Sequence, residues 1–366
     1  MSEIQSTGLS VAPKVWHGVN LGNWLILEKW MAPGVFAGAP EAGDEYSLSL
    51  ALGSAAEAHL RRHRDTYITE ADFRWLRDYG VDAVRIPFGY WMAAEPGEVE
   101  APYVGGIEYL DRALDWCRAY GIAGVLDLHG APGHQSGEHH SGRSRFFQWH
   151  RDAAYRARTV DLLERLAERY RDHAGMAAIS CLNEPHAEVP SSMLLEFYHE
   201  AAQRIRKHLA PSRAAVIIEA HPHFRMAEIH GRLQAWGCEN VMTDVHPYQS
   251  YYEVFNRLDV HEHLAYPMTG SYPRFREFSM AGPLVVGEWS LTMGNGRLRG
   301  LPEHERDLAL RAFAASQLAL FEFTTAGWFY WSYKNETQPI WSFRHCVERG
   351  WFPARLASRA LSVSAG

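Results

Sequence analysis

Two glutamates stand where apolar runs of the sequence end: Glu184 in "ISCLNEPH" and Glu288 in "PLVVGEWS". Burying a lone carboxylate is costly, so a carboxylate at the end of a buried strand is expected to be paired or to be used in chemistry. Two carboxylates that share one pocket are the minimal equipment for hydrolysis of a glycosidic bond. In the retaining form of that reaction they lie roughly 5–5.5 Å apart, one as acid/base and the other as nucleophile. Our hypothesis is a site of this kind, built on Glu184 and Glu288.

Two neighbours of these glutamates favour a division of roles between them. A fixed cation at Arg85 would favour the ionised form of Glu288, and Tyr248 would donate a hydrogen bond to it. The negative charge held there would raise the pKa of Glu184 and keep it protonated to assist the leaving group.

The interiors of the predicted strands are apolar, and nearly every strand ends in polar or ionisable side chains. The residues at these ends are Asn20, Asn23, Arg85, His129, Asn183, Glu184, Glu219, His246, Tyr248, Glu288 and Trp331.

Each of these residues also has a purely structural interpretation. A single glutamate at a strand end is more often a salt-bridge partner, and His129 or His246 alone is more often a satisfied core histidine. The functional interpretation depends on the whole set, in which Asn183 would bond a sugar hydroxyl and Trp331 would stack beneath the ring. A zinc site in "GHQSGEHHSG" (133–142) is the metal alternative, but no HExxH spacing occurs and the adjacent histidines point in different directions. We therefore predict no metal and no cofactor.

Eight short apolar runs, each followed by a helical pattern, predict the scaffold. Runs of this kind are typical of parallel strands that are covered on both faces. Eight strands alternating with helices predict a single-domain (β/α)₈ barrel of the α/β class. The competitor, a doubly wound open sheet, lacks its GxGxxG turn. The predicted strands are 17–24, 83–89, 124–130, 177–185, 214–220, 240–248, 283–290 and 327–334; the predicted helices are 69–80, 107–121, 153–173, 191–209 and 303–323, with a less regular pair at 223–235 and 253–280.

Composition limits the partners. The chain has 366 residues, a net charge of −7 and no Lys/Arg block, which argues against nucleic acid or a membrane surface as partner. Its 13 tryptophans suit platforms for sugar rings. No secretory signal is visible and the four cysteines are scattered, so we expect free thiols and a cytoplasmic location, with a secreted mature form left open.

The predicted boundaries are an N-terminal extension at 1–15, a catalytic domain at 16–355 and a C-terminal tail at 356–366. The oligomeric state is left open.

Several motifs resemble glycoside hydrolase family 5, and within it the exo-β-1,3-glucanases. They are "GVNLGNWLILEKWM", "VRIPFGYW", "LDLHGAPGHQSG", "LNEP", "HPYQ", "GEWS" and "GWFYWSYK", and the resemblance runs from about residue 16 to about 353. It implies a (β/α)₈ barrel that acts with retention and without a cofactor, with Glu184 as acid/base and Glu288 as nucleophile. Glu28 resembles a residue that holds the terminal glucose. Further positions that match the family's signature are Arg85, His129, Asn183, His246, Tyr248 and Trp331.

The departures from that family pattern fall at the rim of the site. The stretch "SGEHHSG" puts Glu138 and His139 where fungal members have an aromatic clamp and a pocket-closing aspartate, and the second clamp aromatic matches Tyr251. Asn23 stands in place of a glycine, and the loop after "GEWS" is shorter. We expect these changes on the leaving-group side, where they affect the choice of substrate.

The hypotheses for function are therefore ordered. The first is a retaining enzyme that releases glucose from the ends of β-1,3-glucans or β-gluco-oligosaccharides. The alternative keeps the mechanism and changes the substrate, to aryl or branched glycosides of the rutinoside type or to internal β-1,6-glucan bonds. A sugar-binding protein without catalysis would lack one of the two glutamates, and both are present.

Overall fold

The computed structural model describes residues 15–94, 97 and 99–356, and the eight strands in this part of the chain close into one barrel. Each strand pairs in parallel with its neighbours in chain order, and the last strand pairs with the first. The (β/α)₈ prediction is confirmed and the open sheet is excluded. The strands are β1 (Trp16–Asn20), β2 (Ala83–Gly89), β3 (Ala123–Gly130), β4 (Met176–Ser180), β5 (Ala215–Ile218), β6 (Val241–Val245), β7 (Leu284–Trp289) and β8 (Gly327–Tyr330).

The described residues contain twelve α-helices, most of which lie at the predicted positions. They are α1 (Glu45–Leu52), α2 (Ala56–Tyr67), α3 (Glu70–Tyr79), α4 (Ile107–Tyr120), α5 (Ala153–Arg169), α6 (Ser191–Arg206), α7 (Met226–Ala235), α8 (Glu253–Arg257), α9 (Val260–Tyr266), α10 (Tyr272–Ala281), α11 (Glu303–Thr324) and α12 (Phe343–Glu348). The single helical pattern at 253–280 is divided, because Asp259 caps a new helix and a π-helical turn at Pro267–Ser271 joins α9 to α10.

The helix ends follow from local chemistry. At the start of α3, the side chain of Asp72 accepts a hydrogen bond from the backbone N–H of Thr69 at 2.8 Å, which satisfies a donor that the helix leaves free. The helix ends at Gly80, whose φ of +104° favours glycine. In α4, Leu110 and Cys117 lie seven residues apart on one face of the helix, and both are buried.

Alternation along the strands gives the barrel interior two layers. The lower layer is apolar and consists of Ala83, Val125, Ala178, Ala215, Ile217, Val285 and Phe329. Two residues further along their strands, Arg85 and Asp127 face the same interior, because side chains two apart lie on one face of a strand. Polar groups therefore collect at the carboxyl ends of the strands, where active sites of this fold lie.

A β-bulge in β7 interrupts this alternation at Glu288. The β7–β8 register shifts between Val286 and Trp289, so that two residues of β7, Gly287 and Glu288, stand opposite the single residue Phe329 of β8. Strict alternation from Val285 would turn Glu288 away from the barrel axis. The bulge turns it inward, in keeping with the tendency of bulges to re-aim a side chain near active sites.

The chain ends lie largely outside this description. The predicted extension at 1–15 and tail at 356–366 fall almost wholly outside the described residues, and the domain boundaries at 16 and 355 stay a prediction. None of the helices in the described ranges combines the length and the apolarity needed to cross a bilayer. The four cysteines are free thiols.

Candidate active site

Arg85 organises the upper layer of the barrel. Its Nη1 donates to Glu288 Oε1 and to Asn20 Oδ1, both at 3.0 Å, and its Nη2 donates to Asn183 Oδ1 at 2.7 Å. Its Nη2 also lies 3.1 Å from Asp127 Oδ1. The Arg85 side chain is 1% exposed. Burial acts to lower the pKa of Arg85, but the carboxylates around it raise that pKa above its ordinary value. A planar group with several donors suits this buried position, because it fixes several acceptors at once.

Glu288 is held from both of its oxygens. Oε1 accepts the bond from Arg85, and Oε2 accepts a bond from the Tyr248 hydroxyl at 2.8 Å. These are the two contacts that the sequence analysis expected. Burial nevertheless raises the pKa of Glu288 to about 7, against the lowering effects of His246 and Arg85.

Glu184 leaves the end of β4 in an unusual backbone conformation. Its φ of +40° is in the left-handed region, which side-chain-bearing residues adopt rarely. The predicted strand at 177–185 ends at Ser180. The N–H of Asn183 still donates to Leu128 O of the neighbouring β3 at 3.1 Å, whereas the N–H of Glu184 donates to a side-chain oxygen, Glu219 Oε2, at 2.7 Å. Strained backbone conformations of this kind are often found at functional sites.

His246 links the two candidate carboxylates. Its Nδ1 lies 2.7 Å from Glu184 Oε1 and 3.7 Å from Glu288 Oε2. The two glutamate oxygens are therefore at most about 6.4 Å apart, which is the sum of those distances. Carboxyl groups of inverting glycosidases are about 6.5–9.5 Å apart, so this spacing falls on the retaining side.

The protonation of the pair differs from the sequence-based expectation. Burial acts to raise the pKa of Glu184, but the hydrogen bond and the charge of His246 hold it well below its ordinary value. Burial acts to lower the pKa of His246, but Glu219, Glu288 and Asp244 raise it well above its ordinary value. The directions of both shifts favour a proton on the imidazole over one on Glu184 in the free site. The expectation that the charge of Glu288 would raise the pKa of Glu184 and keep it protonated was wrong, because it left out the contact with His246.

An open pocket of about 570 Å³ lies over these residues. One wall is an apolar cluster at the top of the barrel that contains Trp331, Trp341 and Tyr248, with Trp30 packed against it. The ring of Trp331 is parallel to that of His129 at 5.3 Å, and His129 Nδ1 in turn lies 2.7 Å from Asp127 Oδ2. Broad aromatic faces beside hydrogen-bonding groups are suited to sugar rings.

Glu28 and His139 lie together in the same pocket. Glu28 is 4% exposed; its Oε2 accepts a bond from Trp30 Nε1 at 2.8 Å and is 3.1 Å from His139 Nε2. Burial acts to raise the pKa of Glu28, yet contact with His139 keeps it below its ordinary value. The pocket is further lined by the predicted Glu138, which is exposed, and by Tyr251, which is 65% exposed.

Several residues of the pocket were not predicted from the sequence. His140 Nε2 lies 3.6 Å from Glu184 Oε2, so it is His140 rather than its neighbour His139 that approaches this carboxylate. Asp127 and Asp244 precede His129 and His246 by two residues. That repeated Asp-x-His spacing at two strand ends was an available signal, because such residues share a strand face. Further residues that were not predicted are Trp30, Ser136, His186, His221, His223, Tyr252 and Trp341.

One set of side chains has the arrangement of a possible cation site. Glu184, Glu219 and His246 each offer one ligand atom, and these atoms lie within 4.8 Å of one another. A cation here would have to displace the proton that His246 Nδ1 shares with Glu184 Oε1. His139 and His140 face different glutamates, so they do not add a joint pair of ligands to it.

A (β/α)₈ barrel with two facing glutamates and an aromatic wall at its carboxyl end defines the class of this protein as a glycoside hydrolase. The family profile described as "Cellulase (glycosyl hydrolase family 5)" matches residues 52–337. The chain therefore belongs to glycoside hydrolase family 5, and the resemblance drawn from its motifs is confirmed.

Curated relatives match nearly the full length. "Probable glucan 1,3-beta-glucosidase A" of Emericella nidulans is 33% identical over 393 residues, which cover 97% of this chain and 93% of the relative. "Glucan 1,3-beta-glucosidase" of Blumeria graminis is 33% identical over 388 residues, with 96% and 89% covered. A solved rutinosidase from Aspergillus niger has a TM-score of 0.75 at 20% identity, with 93% of this chain and 98% of that chain covered. At that identity, the solved structure supports the fold alone.

Proposed function

We propose that the chain is a retaining, exo-acting β-glucosidase that removes glucose from the ends of β-1,3-glucans or β-gluco-oligosaccharides by double displacement. The observation that carries this proposal is the spacing of Glu184 and Glu288, whose oxygens approach within about 6.4 Å through His246. This distance leaves room for one sugar carbon between the two groups and little for the additional water that inversion needs. The names of the curated relatives support β-1,3-glucan as the substrate class.

In the first step Glu288 acts as nucleophile. Its carboxylate attacks the anomeric carbon and forms a glycosyl ester, while the bond to the leaving oxygen breaks. Arg85 and Tyr248 orient the carboxylate through its two oxygens. Asn183, whose Nδ2 has no hydrogen-bond partner among the described residues, would donate to a sugar hydroxyl beside the reacting carbon.

Glu184 acts as acid and then as base, with His246 as the proton store. The proton moves across the 2.7 Å contact from His246 Nδ1 to Glu184 Oε1 and on to the leaving oxygen. The carboxylate charge of Glu288, which helps to hold that proton on His246, disappears as the ester forms. Ester formation therefore lowers the pKa of His246 at the stage when the leaving oxygen has to be protonated. In the second step Glu184 takes a proton from water, whose oxygen bonds the anomeric carbon as the ester bond to Glu288 breaks and its carboxylate is restored.

The contact between Glu28 and His139 supports exo action. A buried carboxylate with one bonded and one unbonded oxygen is suited to accept hydroxyls of a terminal sugar. His139 was expected on the leaving-group side but lies beside Glu28. In this proposal the ion pair of these two residues closes the glucose end of the pocket, so that a chain enters by its end. The same closure disfavours the rutinoside alternative, which needs space for a second sugar on that side.

Two variants test the roles of the glutamates. Glu288→Ala should lose several orders of magnitude in kcat/KM on an aryl β-glucoside, and added azide should yield the α-glucosyl azide. Glu184→Ala should lose roughly 10²–10⁴-fold on laminaribiose but much less on 2,4-dinitrophenyl β-glucoside, and azide should yield the β-azide. Glu228→Ala, on the exposed face of α7, serves as the control. Undiminished turnover by Glu288→Ala would refute the proposal.

Product mapping tests the substrate. The enzyme should release glucose stepwise from reduced laminari-oligosaccharides, with the β-anomer formed first. Rutin should give no rutinose, and a linear β-1,6-glucan should not be cut internally. A disaccharide as the first product would contradict the assignment to exo-β-glucosidases, although the two glutamates would keep their roles.

A further inference from the structure

Glu219, the residue that directly follows β5, lies beneath Glu184. It is 1% exposed, and its Oε2 accepts the backbone N–H of Glu184 at 2.7 Å. This is the N–H of the residue whose φ is +40°. A carboxylate that accepts a bond from a backbone N–H in a rare conformation stabilises that conformation, since a buried N–H without a partner is costly.

The second oxygen of Glu219, Oε1, lies close to His246, the residue that stores the proton for Glu184 in the proposed mechanism. Oε1 has no hydrogen-bond partner among the described residues, and it lies 3.6 Å from His246 Nδ1. That nitrogen is the one bonded to Glu184 Oε1. The backbone of Glu219 is itself fixed by Tyr198 of α6, whose hydroxyl donates to the Glu219 carbonyl oxygen and accepts from its N–H.

The charged surroundings are consistent with coupled proton binding. Burial raises the pKa of Glu219 to about 8, while the charge of Glu219 raises that of His246. Burial lowers the pKa of His223 to about 4, so that this histidine, 3.9 Å from Glu219 Oε1, is neutral. The titratable and charged groups around Glu219 are Glu184 after β4, His223 in its own loop, Asp244 of β6, His246 directly after β6, Arg85 from β2 and Tyr198 from α6.

We propose that Glu219 is a positioning residue for Glu184: it fixes the left-handed peptide that aims this glutamate into the pocket, and its carboxylate retains the proton on the His246–Glu184 pair. The proposal rests on the acid/base role proposed for Glu184. Removal of the negative charge therefore weakens proton retention on the pair, and the enzyme loses its catalytic acid at lower pH.

Three variants separate the two tasks. Glu219→Gln keeps an oxygen for the Glu184 N–H and removes the charge, Glu219→Ala removes both, and Glu228→Gln on exposed α7 is the control. For Glu219→Gln the basic limb of kcat/KM on laminaribiose should move down by at least about half a pH unit. On the basic side of the profile, above about pH 8 where Glu219 is ionised, the rate should fall at least about threefold on laminaribiose and stay nearly unchanged on 2,4-dinitrophenyl β-glucoside, which needs little acid assistance. Glu219→Ala should lose activity on both substrates.

A second readout is independent of turnover. The imidazole resonances of His246, followed by NMR through a pH titration, should show proton loss at lower pH in Glu219→Gln than in the wild type. For Glu219→Gln, an unmoved titration and basic limb, or equal losses on both substrates, would overturn the proposal in favour of a structural role. If the wild type cleaves no glucoside, the proposed function fails, and the titration still decides whether Glu219 retains the proton. Should Glu219→Ala fail to fold, the Gln variant carries the test alone.

Discussion

Arg85 Nη1 lies 3.0 Å from Glu288 Oε1, and neither side chain is more than 7% exposed. The same guanidinium also bonds Asn20 and Asn183, so one cation from β2 fixes groups that come from β1, β4 and β7. A buried cation of this kind has two effects. It orients the candidate nucleophile, and its charge offsets those of the carboxylates around it.

Removal of that cation should affect both stability and activity. Arg85→Met leaves Glu288 and Asp127 buried without their charge partner, which we expect to cost about 3–5 kcal/mol in the free energy of unfolding. It should also raise the pKa of Glu288, so that the acidic limb of kcat/KM moves to higher pH. Denaturant unfolding and a pH–rate profile measure the two effects. Arg118→Met, at an exposed position, should change stability by no more than about 0.5 kcal/mol. Wild-type stability in Arg85→Met would contradict this account.

The raised pKa of Glu288 predicts opposite pH trends for activity and stability. The nucleophile must be ionised, so activity should rise with pH through about 7. A carboxyl group whose pKa is higher in the folded than in the unfolded state stabilises the protein less as pH rises between those two values. Compared with wild type, Glu288→Gln should therefore gain stability from pH 5 to pH 8, by up to about 3 kcal/mol. A stability difference that is flat over this range would show that Glu288 is ionised throughout.

The contact between Glu28 and His139 predicts a change in binding at the glucose end of the pocket. His139→Ala removes the imidazole that lies 3.1 Å from Glu28 Oε2. We expect KM for laminari-oligosaccharides to rise roughly 3- to 10-fold with kcat nearly unchanged, because the lost contact acts on bound substrate and transition state alike. Disaccharide should also appear among the products as that end opens. His304→Ala, at an exposed site on α11, is the control. An unchanged KM with glucose as sole product would mean that His139 does not close the pocket.

Much of the fold followed from the sequence, because apolar runs and strand ends are local signals. All eight predicted strands are present. His129, Glu184, His246 and Glu288, from four of the strand ends, line a common pocket because parallel strands share their carboxyl edge. The strand ends were less accurate, as at Glu184, where a side chain 35 residues away takes the backbone hydrogen bond that a strand would make. Such a contact between distant segments leaves no periodic trace in the sequence.

The electrostatics of the pocket were the least predictable feature. The contacts of Arg85 and Tyr248 with Glu288 could be anticipated, since they depend only on residue type and on a shared edge. The protonation of Glu184 could not, because it depends on which of several nearby imidazoles comes within hydrogen-bond distance. Three-dimensional contact alone distinguishes His246 at 2.7 Å from His140 at 3.6 Å.

A buried ion pair away from the chemistry should control the position of Glu28. Glu45 Oε1 accepts bonds from Arg64 Nη2 at 3.0 Å and Trp91 Nε1 at 2.9 Å, and Oε2 accepts the N–H of Leu27. Arg64→Met should cost about 3–5 kcal/mol, because it leaves Glu45 buried and unpaired. The double variant with Glu45→Leu should recover part of that loss and still raise KM, since Leu27 precedes Glu28 and loses its anchor. Additive losses in the double variant would argue against a coupled pair.

The bulge that aims Glu288 depends on the absence of a side chain at Gly287. A Cβ at this position would lie 2.1 Å from Asp244 Oδ2, while Asp244 Oδ1 accepts the Gly287 N–H at 2.6 Å. Gly287→Ala must therefore displace either the carboxylate or the bulge. We expect a loss of about 1–3 kcal/mol in stability and a fall in kcat of roughly 10²-fold, because Glu288 is displaced from the reacting carbon.

The matched control is Gly231→Ala in α7, where an added Cβ meets no atom within 4 Å. Alanine is favoured over glycine inside a helix, so this variant should gain up to about 1 kcal/mol and keep full activity. Unfolding curves and turnover of an aryl β-glucoside compare the two. If Gly287→Ala matched the control in both measurements, the bulge would tolerate a side chain, and the position of Glu288 would have to depend on Arg85 and Tyr248 alone.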